Sequence, residues 1–115
     1  MVLVTKYRNP VLTGPVQETV YNTISNISGQ KGLVLLEING EPDHIHLLYE
    51  ADLFTAPGTL VNIIKTKTSR YARKLYGKSL LRKYYWKPYF WSDSYFVTTV
   101  SENSLTVVRQ YIQSQ

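Results

Sequence analysis

Apolar residues recur at helical spacing in the first third of the chain. The steps are four, four and three residues, through Val16, Val20, Ile24 and Ile27. Residues spaced in this way lie along one face of an α-helix, so the pattern predicts a helix from residue 15 to about residue 28. The glycine-containing segment 29–32 predicts its end, because glycine is common just beyond the last helical turn.

A second helix is predicted to open at the turn residues of segment 55–59. Its predicted buried stripe consists of Leu60, Ile64, Tyr71 and Leu75, and basic residues occupy the rest of its surface. Segment 77–91, which follows, is poorly periodic and predicts a loop held by aromatic anchors. Several N-cap candidates in segment 101–104 predict a last helix from residue 105 to the C-terminus.

Four short stretches are rich in β-branched and aromatic residues, and they predict strands at residues 2–7, 33–38, 45–49 and 94–100. The dipeptide Asn39-Gly40 predicts a turn between the second and third strands, although the residues after it make the connection longer than a two-residue hairpin. The element order is β-α-β-β-α-β followed by a helix. This order predicts an α+β fold of the ferredoxin-like (RRM-like) type, an antiparallel sheet with helices on one face.

The composition limits the class of protein. A chain of 115 residues and 13.3 kDa, with 43% hydrophobic residues, predicts one folded domain over residues 1–115. The absence of cysteine excludes disulfide scaffolds, cysteine-based zinc fingers and thiol nucleophiles. No apolar run approaches the roughly 20 residues of a membrane helix, and the N-terminus does not resemble a secretory signal. We therefore expect a soluble, cytoplasmic protein.

The net charge of +5 is concentrated in one region. Between residues 53 and 92 the sequence contains no acidic residue and carries Lys65, Lys67, Arg70, Arg73, Lys74, Lys78, Arg82, Lys83 and Lys87, interleaved with aromatic residues. Cations neutralise phosphates and flat rings stack on unpaired bases, so this composition favours a surface for single-stranded nucleic acid. The alternative is a solvated basic helix followed by a loop whose aromatic rings pack into the core.

The two histidines of the chain, His44 and His46, are separated by Ile45 at the start of the third predicted strand. Because side chains alternate along a strand, both imidazoles are expected on one face, with Ile45 pointing to the core. Two neighbouring neutral imidazoles can share a metal ion. An H-x-H pair is a weak signal by itself, and two polar surface histidines are the alternative.

The last predicted helix offers two more polar residues, Tyr111 and Gln115. They are four residues apart and therefore stand one turn apart on the same strip, beside the apolar face of the helix. A third metal ligand is needed, and this strip could supply one. The alternative for Tyr111 is a packing residue at the margin of the core.

Taken together, these residues resemble the HUH-type single-tyrosine transposases of small insertion sequences, which move as single-stranded DNA. The resemblance is carried by Thr5-Lys6-Tyr7-Arg8, Glu41-Pro42-Asp43-His44-Ile45-His46-Leu47-Leu48, Ile64-Lys65-Thr66-Lys67-Thr68-Ser69, Trp91-Ser92-Asp93-Ser94-Tyr95-Phe96-Val97 and Tyr111-Ile112-Gln113-Ser114-Gln115. The segments occur in the expected order and cover essentially the whole chain.

The resemblance implies a ferredoxin-like fold and a metal-dependent enzyme. By resemblance, His44, His46 and Gln115 would bind a divalent ion, magnesium or manganese, and Tyr111 would be the nucleophile that forms a 5′-phosphotyrosine. The substrate would be single-stranded DNA with hairpins at the element ends. Family members work as homodimers, with possible active sites in trans, and we expect association with the nucleoid when the protein is bound to DNA.

The predicted DNA contacts are Lys6, Arg8, Lys65, Lys67, Arg70, Arg73, Lys74, Arg82, Lys83 and Trp91. Two other functions agree with the same sequence features. One is a ferredoxin-like module that binds single-stranded nucleic acid without cutting it. The other is a domesticated relative that processes repeat hairpins in the host genome.

Overall fold

A computed structural model describes residues 1–50, 56–97 and 112–113. The elements in chain order are strand β1 (Val2–Val4), a short 3-10 helix (Lys6–Arg8), helix α1 (Gly14–Gln30), strand β2 (Leu35–Glu41), strand β3 (His44–Tyr49) and helix α2 (Pro57–Tyr76). Within the described residues, no helix combines the length and the apolar character that crossing a bilayer requires.

The three strands form one antiparallel sheet in the order β1-β3-β2. Trp91 and Phe96 form isolated antiparallel bridges with Thr5 and Val2, so the chain after α2 returns to the β1 side of the sheet. The predicted α+β class is therefore confirmed. The fourth predicted strand is described only as far as residue 97, and of the last predicted helix only residues 112–113 are described, both helical.

Helix α1 forms where the apolar periodicity predicted it. The predicted stripe of Val16, Val20, Ile24 and Ile27 is buried along its whole length. Pro15 lies in the first turn, where its missing N–H costs no hydrogen bond. The stripe packs into the main core, which also contains Ile45 and Leu47 of β3, so α1 lies on the same side of the sheet as these two residues.

The turn between β2 and β3 differs from the prediction. Asn39 and Gly40 lie inside β2, and the connection consists of two residues, Pro42 and Asp43. Gly40 is required by a close approach: a Cβ atom there would lie 2.5 Å from the backbone oxygen of His44. The prediction of a turn at 39–40 was wrong because the glycine serves strand contact instead of backbone reversal.

Helix α2 buries a different stripe from the predicted one. Leu60 and Ile64 are buried as expected, but Tyr71 and Leu75 are 47% and 56% exposed. The buried positions after Ile64 are the small residues Thr68 and Ala72. The indole of Trp91 donates a hydrogen bond to the Thr68 hydroxyl over 2.8 Å, so a ring from the loop covers this part of the helix.

The segment after α2 is irregular, as predicted, and it is held by apolar anchors. Leu81, Tyr85, Phe90 and Trp91 are all buried in the main core. The Tyr85 hydroxyl donates to the backbone oxygen of Lys6 over 2.8 Å, and burial raises the pKa of this phenol to about 12. These anchors attach the loop to the end of β1.

Two glycine-to-alanine substitutions test the hairpin. Gly40→Ala is expected to destabilise the protein by roughly 1–3 kcal/mol, because the added methyl group overlaps the backbone of β3. Gly29→Ala is the control: nothing lies within 4 Å of its Cβ position, and alanine is the better helix former by about 0.5–1 kcal/mol. Urea unfolding of both variants measures the difference. Equal stability of Gly40→Ala and the wild type would contradict the close approach.

Candidate functional site

The two histidines lie on one face of β3. Ile45 and Leu47 point into the core between the sheet and the helices, so the alternate residues, His44 and His46, point to the opposite face. Their ring centroids are 5.1 Å apart, with the planes inclined by 66°. The predicted arrangement of the pair, with Ile45 in the core, is therefore confirmed.

His44 is bound on one side by its neighbour in the turn. Its Nδ1 lies 2.7 Å from Oδ1 of Asp43. Oδ2 of the same carboxylate accepts a hydrogen bond from Nε of Arg8 over 2.9 Å and forms an ion pair with Nη2, also at 2.9 Å. Burial alone would raise the pKa of Asp43, but the hydrogen bonds with His44 and Arg8 outweigh it and lower the pKa below its ordinary value. Asp43 is therefore an ionised acceptor at neutral pH.

His46 is half-buried, and its surroundings disfavour the charged ring. Burial lowers the pKa of His46 below its ordinary value, and the neighbouring His44 lowers it further, while Glu37 and Glu41 on β2 partly oppose the shift. At neutral pH this imidazole is uncharged. A neutral imidazole has the free nitrogen lone pair that metal coordination needs.

The donor set for a metal is incomplete within the described residues. In residues 1–50, 56–97 and 112–113 no three histidine, aspartate or glutamate side chains form a group able to hold an ion. The imidazole pair supplies two nitrogen donors, which suit manganese and other transition ions better than magnesium. Gln115, the predicted third ligand, and Tyr111, the predicted nucleophile, lie outside the described residues.

Ile112, the residue after Tyr111, is described, and it packs on the face of the sheet that carries His44 and His46. Ile112 is buried in a small cluster with Val2 and Val4 of β1. These two valines pair directly across the sheet with His46 and His44, respectively. Residues opposite each other in an antiparallel pair share a face, so Ile112 contacts the sheet beside the imidazoles of the same chain.

Four of the predicted DNA-contacting cations have partners within the protein. The ammonium group of Lys65 donates to the backbone oxygens of Ser92 and Ser94 over 2.6 and 3.0 Å, and its burial lowers the pKa of this lysine. The guanidinium of Arg73 donates to the backbone oxygen of Tyr89. Arg8 binds Asp43, as described above.

Lys6 is the fourth of these cations. Its ammonium group lies 3.6 Å from the Asp93 carboxylate and within 5.5 Å of the ring centres of Tyr7 and Tyr89. All four cations therefore help to hold the segments around β1 and the loop after α2.

The other five predicted cations are exposed: Lys67, Arg70, Lys74, Arg82 and Lys83. None of the five forms an ion pair with any residue that the structure describes. Lys67, Arg70 and Lys74 are spaced by three and four residues and therefore share one face of α2. We call these three residues the α2 basic face. Its cations lie on an exposed surface of the part of the chain that the structure describes.

The predicted aromatic contact, Trp91, is placed in the core. Its indole is only 8% exposed and its N–H is taken by Thr68, so a base has no open face of this ring to stack on. Tyr7 and Trp86 are 65% and 79% exposed instead. The sequence does not distinguish the exposed ring of Trp86 from the buried ring of Trp91, because both lie in segment 77–91, which has no helical or strand periodicity.

Comparison with known proteins identifies the family. The whole chain, residues 1–115, matches the protein family described as "Transposase IS200 like". The ISDra2 transposase TnpA of Deinococcus radiodurans is 34% identical over 110 residues, which cover 96% of this chain and 77% of that protein. A transposase for insertion sequence element IS200 from Salmonella typhimurium is 27% identical over 115 residues, covering 100% of this chain and 74% of the relative.

The fold agrees with the sequence match. A crystal structure of a transposase from Deinococcus radiodurans superimposes on this chain with a TM-score of 0.88 at 31% identity, over 99% of this chain and 86% of the other. The family that the sequence resembled is thus confirmed, and family membership implies that the protein binds DNA. The chain belongs to the IS200-like transposase family.

Proposed function

We propose that this transposase is a metal-dependent enzyme that cleaves and rejoins single-stranded DNA at hairpin-bearing element ends through a 5′-phosphotyrosine. The observation that carries the proposal is the shared face: two imidazoles 5.1 Å apart lie beside the contact of Ile112, the residue that follows Tyr111. We further propose a ferredoxin-like topology. The bridge between Phe96 and Val2 supports it, because this bridge continues the sheet on the β1 side.

The residues proposed to hold the metal are His44, His46 and Gln115. The described pair fits this role, since His46 is kept neutral and His44 has one ring nitrogen engaged by Asp43, while its other nitrogen has no hydrogen-bond partner among residues 1–50, 56–97 and 112–113. When bound, a divalent ion would draw charge from the non-bridging oxygens of the scissile phosphate and make phosphorus more electrophilic. Manganese or magnesium could serve, and imidazole donors favour manganese.

Tyr111 is the proposed nucleophile. Its phenol oxygen forms a bond to phosphorus, and the bond from phosphorus to the 3′ oxygen of the DNA breaks. The phenol proton ends on the departing 3′ hydroxyl, and the 5′ phosphate stays on the tyrosine. Because the phosphodiester bond is exchanged for another phosphate ester, a different 3′ end can reverse the step and be joined.

The proposed DNA surface is the α2 basic face, with Arg82 and Lys83 as further contacts. These cations are exposed and make no ion pair within the described part of the chain. Electrostatic binding of this kind holds the backbone of a single strand without reading its sequence.

The assembly proposed from the resemblance is a homodimer that associates with the nucleoid when it is bound to DNA. The resemblance leaves open an active site that combines residues of two subunits.

Replacing the nucleophile should remove the covalent intermediate. Tyr111→Phe is expected to abolish the denaturation-resistant adduct with labelled single-stranded element ends in the presence of manganese, because the attacking oxygen is absent, while DNA binding changes little. Tyr21→Phe is the control: it also removes a phenol hydroxyl, from α1, and should keep the adduct. An adduct formed by Tyr111→Phe would show that another residue is the nucleophile.

Replacing both histidines should remove the metal. His44→Ala combined with His46→Ala is expected to weaken Mn²⁺ binding, measured by calorimetry, by more than the ~10–100-fold that loss of one supporting residue costs. DNA binding should persist, because the α2 basic face is unchanged. Lys31→Ala, an exposed substitution at the end of α1, is the control. Undiminished Mn²⁺ affinity in the double variant would refute the ligand assignment, and binding without any metal-dependent cleavage by the wild type would favour the non-catalytic module.

The α2 basic face should dominate the salt dependence of DNA binding. Replacing Lys67, Arg70 and Lys74 by alanine is expected to reduce the slope of log affinity against log salt concentration by about 2, at ~0.7 per lost phosphate contact with a single strand. Fluorescence anisotropy with a labelled oligonucleotide measures the slope. Lys31→Ala removes one cation elsewhere and should leave it unchanged. An unaltered slope in the triple variant would place the DNA on another surface.

A further inference from the structure

Arg8, Asp43 and His44 form a continuous chain of hydrogen bonds that ends at the histidine face. The carboxylate of Asp43 bridges the other two residues, with Oδ1 toward the imidazole at 2.7 Å and Oδ2 toward two guanidinium nitrogens at 2.9 Å. Sequence analysis assigned Arg8 to DNA contact and gave Asp43 no role. We propose that Asp43 and Arg8 are positioning residues that hold His44 as its Nδ1–H tautomer, with the Nε2 lone pair presented to the metal.

The tautomer follows from the chemistry of the contact. An ionised carboxylate can only accept hydrogen bonds, so the ring nitrogen that faces Asp43 must carry the hydrogen. In a neutral imidazole the other nitrogen, Nε2, then holds the lone pair. Without a partner, neutral imidazole in water favours hydrogen on Nε2, which would block that nitrogen as a ligand. The contact with Asp43 therefore selects the ligating form of His44.

The backbone of Asp43 is anchored independently of its side chain. The backbone oxygen of Asp43 accepts a hydrogen bond from the backbone N–H of Thr5 over 3.0 Å, and the Thr5 hydroxyl oxygen lies 3.1 Å away. Thr5 directly follows β1 and is fully buried. β1 also pairs with β3, and Val4 lies opposite His44. The turn that carries Asp43 is therefore held through its own backbone oxygen and through the strand that follows it.

Arg8 reaches Asp43 from an unusual backbone conformation. Tyr7 and Arg8 have φ angles of 59° and 53°, in the left-handed region that non-glycine residues seldom adopt. Such residues cost about 1–3 kcal/mol each and persist where surrounding contacts hold them. Here the Thr5 hydroxyl donates to the backbone oxygen of Asn9, and the N–H of Lys6 donates to the oxygen of Phe90. The constrained turn aims the guanidinium at the carboxylate.

The paired geometry explains why an arginine suits this position. The planar guanidinium places two nitrogens against Oδ2, with Nε donating a hydrogen bond and Nη2 completing the ion pair, and this leaves Oδ1 for His44. A metal-binding histidine commonly needs such a carboxylate partner, and loss of the partner weakens metal binding by ~10–100-fold. The expected loss of metal affinity rests on the proposed function, whereas the assignment of the His44 tautomer does not.

The test reads the tautomer directly, by ¹⁵N–¹H correlation of the imidazole rings in the metal-free, full-length protein. The wild type should show His44 with hydrogen on Nδ1. In Asp43→Ala the hydrogen should move mainly to Nε2, while the signals of His46 keep their tautomer and serve as the internal reference. Asp43→Asn retains an acceptor oxygen without the charge, and should keep the wild-type tautomer. If Asp43→Ala fails to fold, the wild-type spectrum still decides, because hydrogen on Nε2 of His44 there would contradict the proposal.

Mn²⁺ calorimetry on the same proteins gives the second readout. Asp43→Ala should bind Mn²⁺ ~10–100-fold more weakly, and Arg8→Ala should fall between it and the wild type. Asp93→Ala is the matched control, because it breaks the nearby ion pair with Lys6 and should change neither readout.

A purely structural ion pair would give a different result from the one proposed. In that case Asp43→Ala would lower the melting temperature and leave the His44 tautomer as in the wild type, which would overturn the inference. A wild-type His44 with hydrogen on Nε2 would overturn it as well. If the wild type shows the Nδ1–H tautomer and binds no Mn²⁺, the positioning contact stands and the proposed metal chemistry fails.

Discussion

The register of β3 between its two neighbours is the constraint on which the site depends. Ile45 and Leu47 are buried between the sheet and the helices, and this fixes which residues of the strand face the other way. A slip of one residue would move both imidazoles into the core and both apolar side chains out of it. Because β3 is paired on both edges, the positions of His44 and His46 are set by two backbone ladders at once.

The basic region combines two roles that composition alone does not separate. Lys65 and Arg73 donate to backbone oxygens of the loop after α2, so their charge helps to hold that loop against the helix. Lys67, Arg70 and Lys74 alternate with them along the same helix and face solvent. The helix therefore uses one side to attach the irregular segment, and another side exposes the cations of the proposed DNA surface. The aromatic residues divide in the same way, since Trp91 is buried and Trp86 is exposed.

Features governed by local periodicity could be predicted from the sequence. The stripe of α1 and the common face of His44 and His46 depend only on helical and strand geometry, and both predictions are confirmed. The predictions that depend on tertiary partners were wrong. Gly40 approaches the backbone of His44 and lies in a strand instead of a turn. In the second half of α2 the ring of Trp91 covers Thr68, and the predicted residues Tyr71 and Leu75 are exposed. The contact between Arg8 and Asp43 joins residues 35 positions apart, so no local pattern announces it. The roles of Tyr111 and Gln115 stay predictions.

The described residues of the proposed site contact the sheet in two ways. The imidazole pair is fixed by sheet hydrogen bonds on both sides and by the contact of Asp43 with Arg8. Next to Tyr111, the proposed nucleophile, the described residue Ile112 is buried in a small cluster separate from the main core. Full burial of such a side chain contributes about 1.5–3 kcal/mol, much less than the whole core supplies. The backbone ladders and the contact of Asp43 with Arg8 therefore preorganise the imidazole pair, the half of the proposed site that the structure describes.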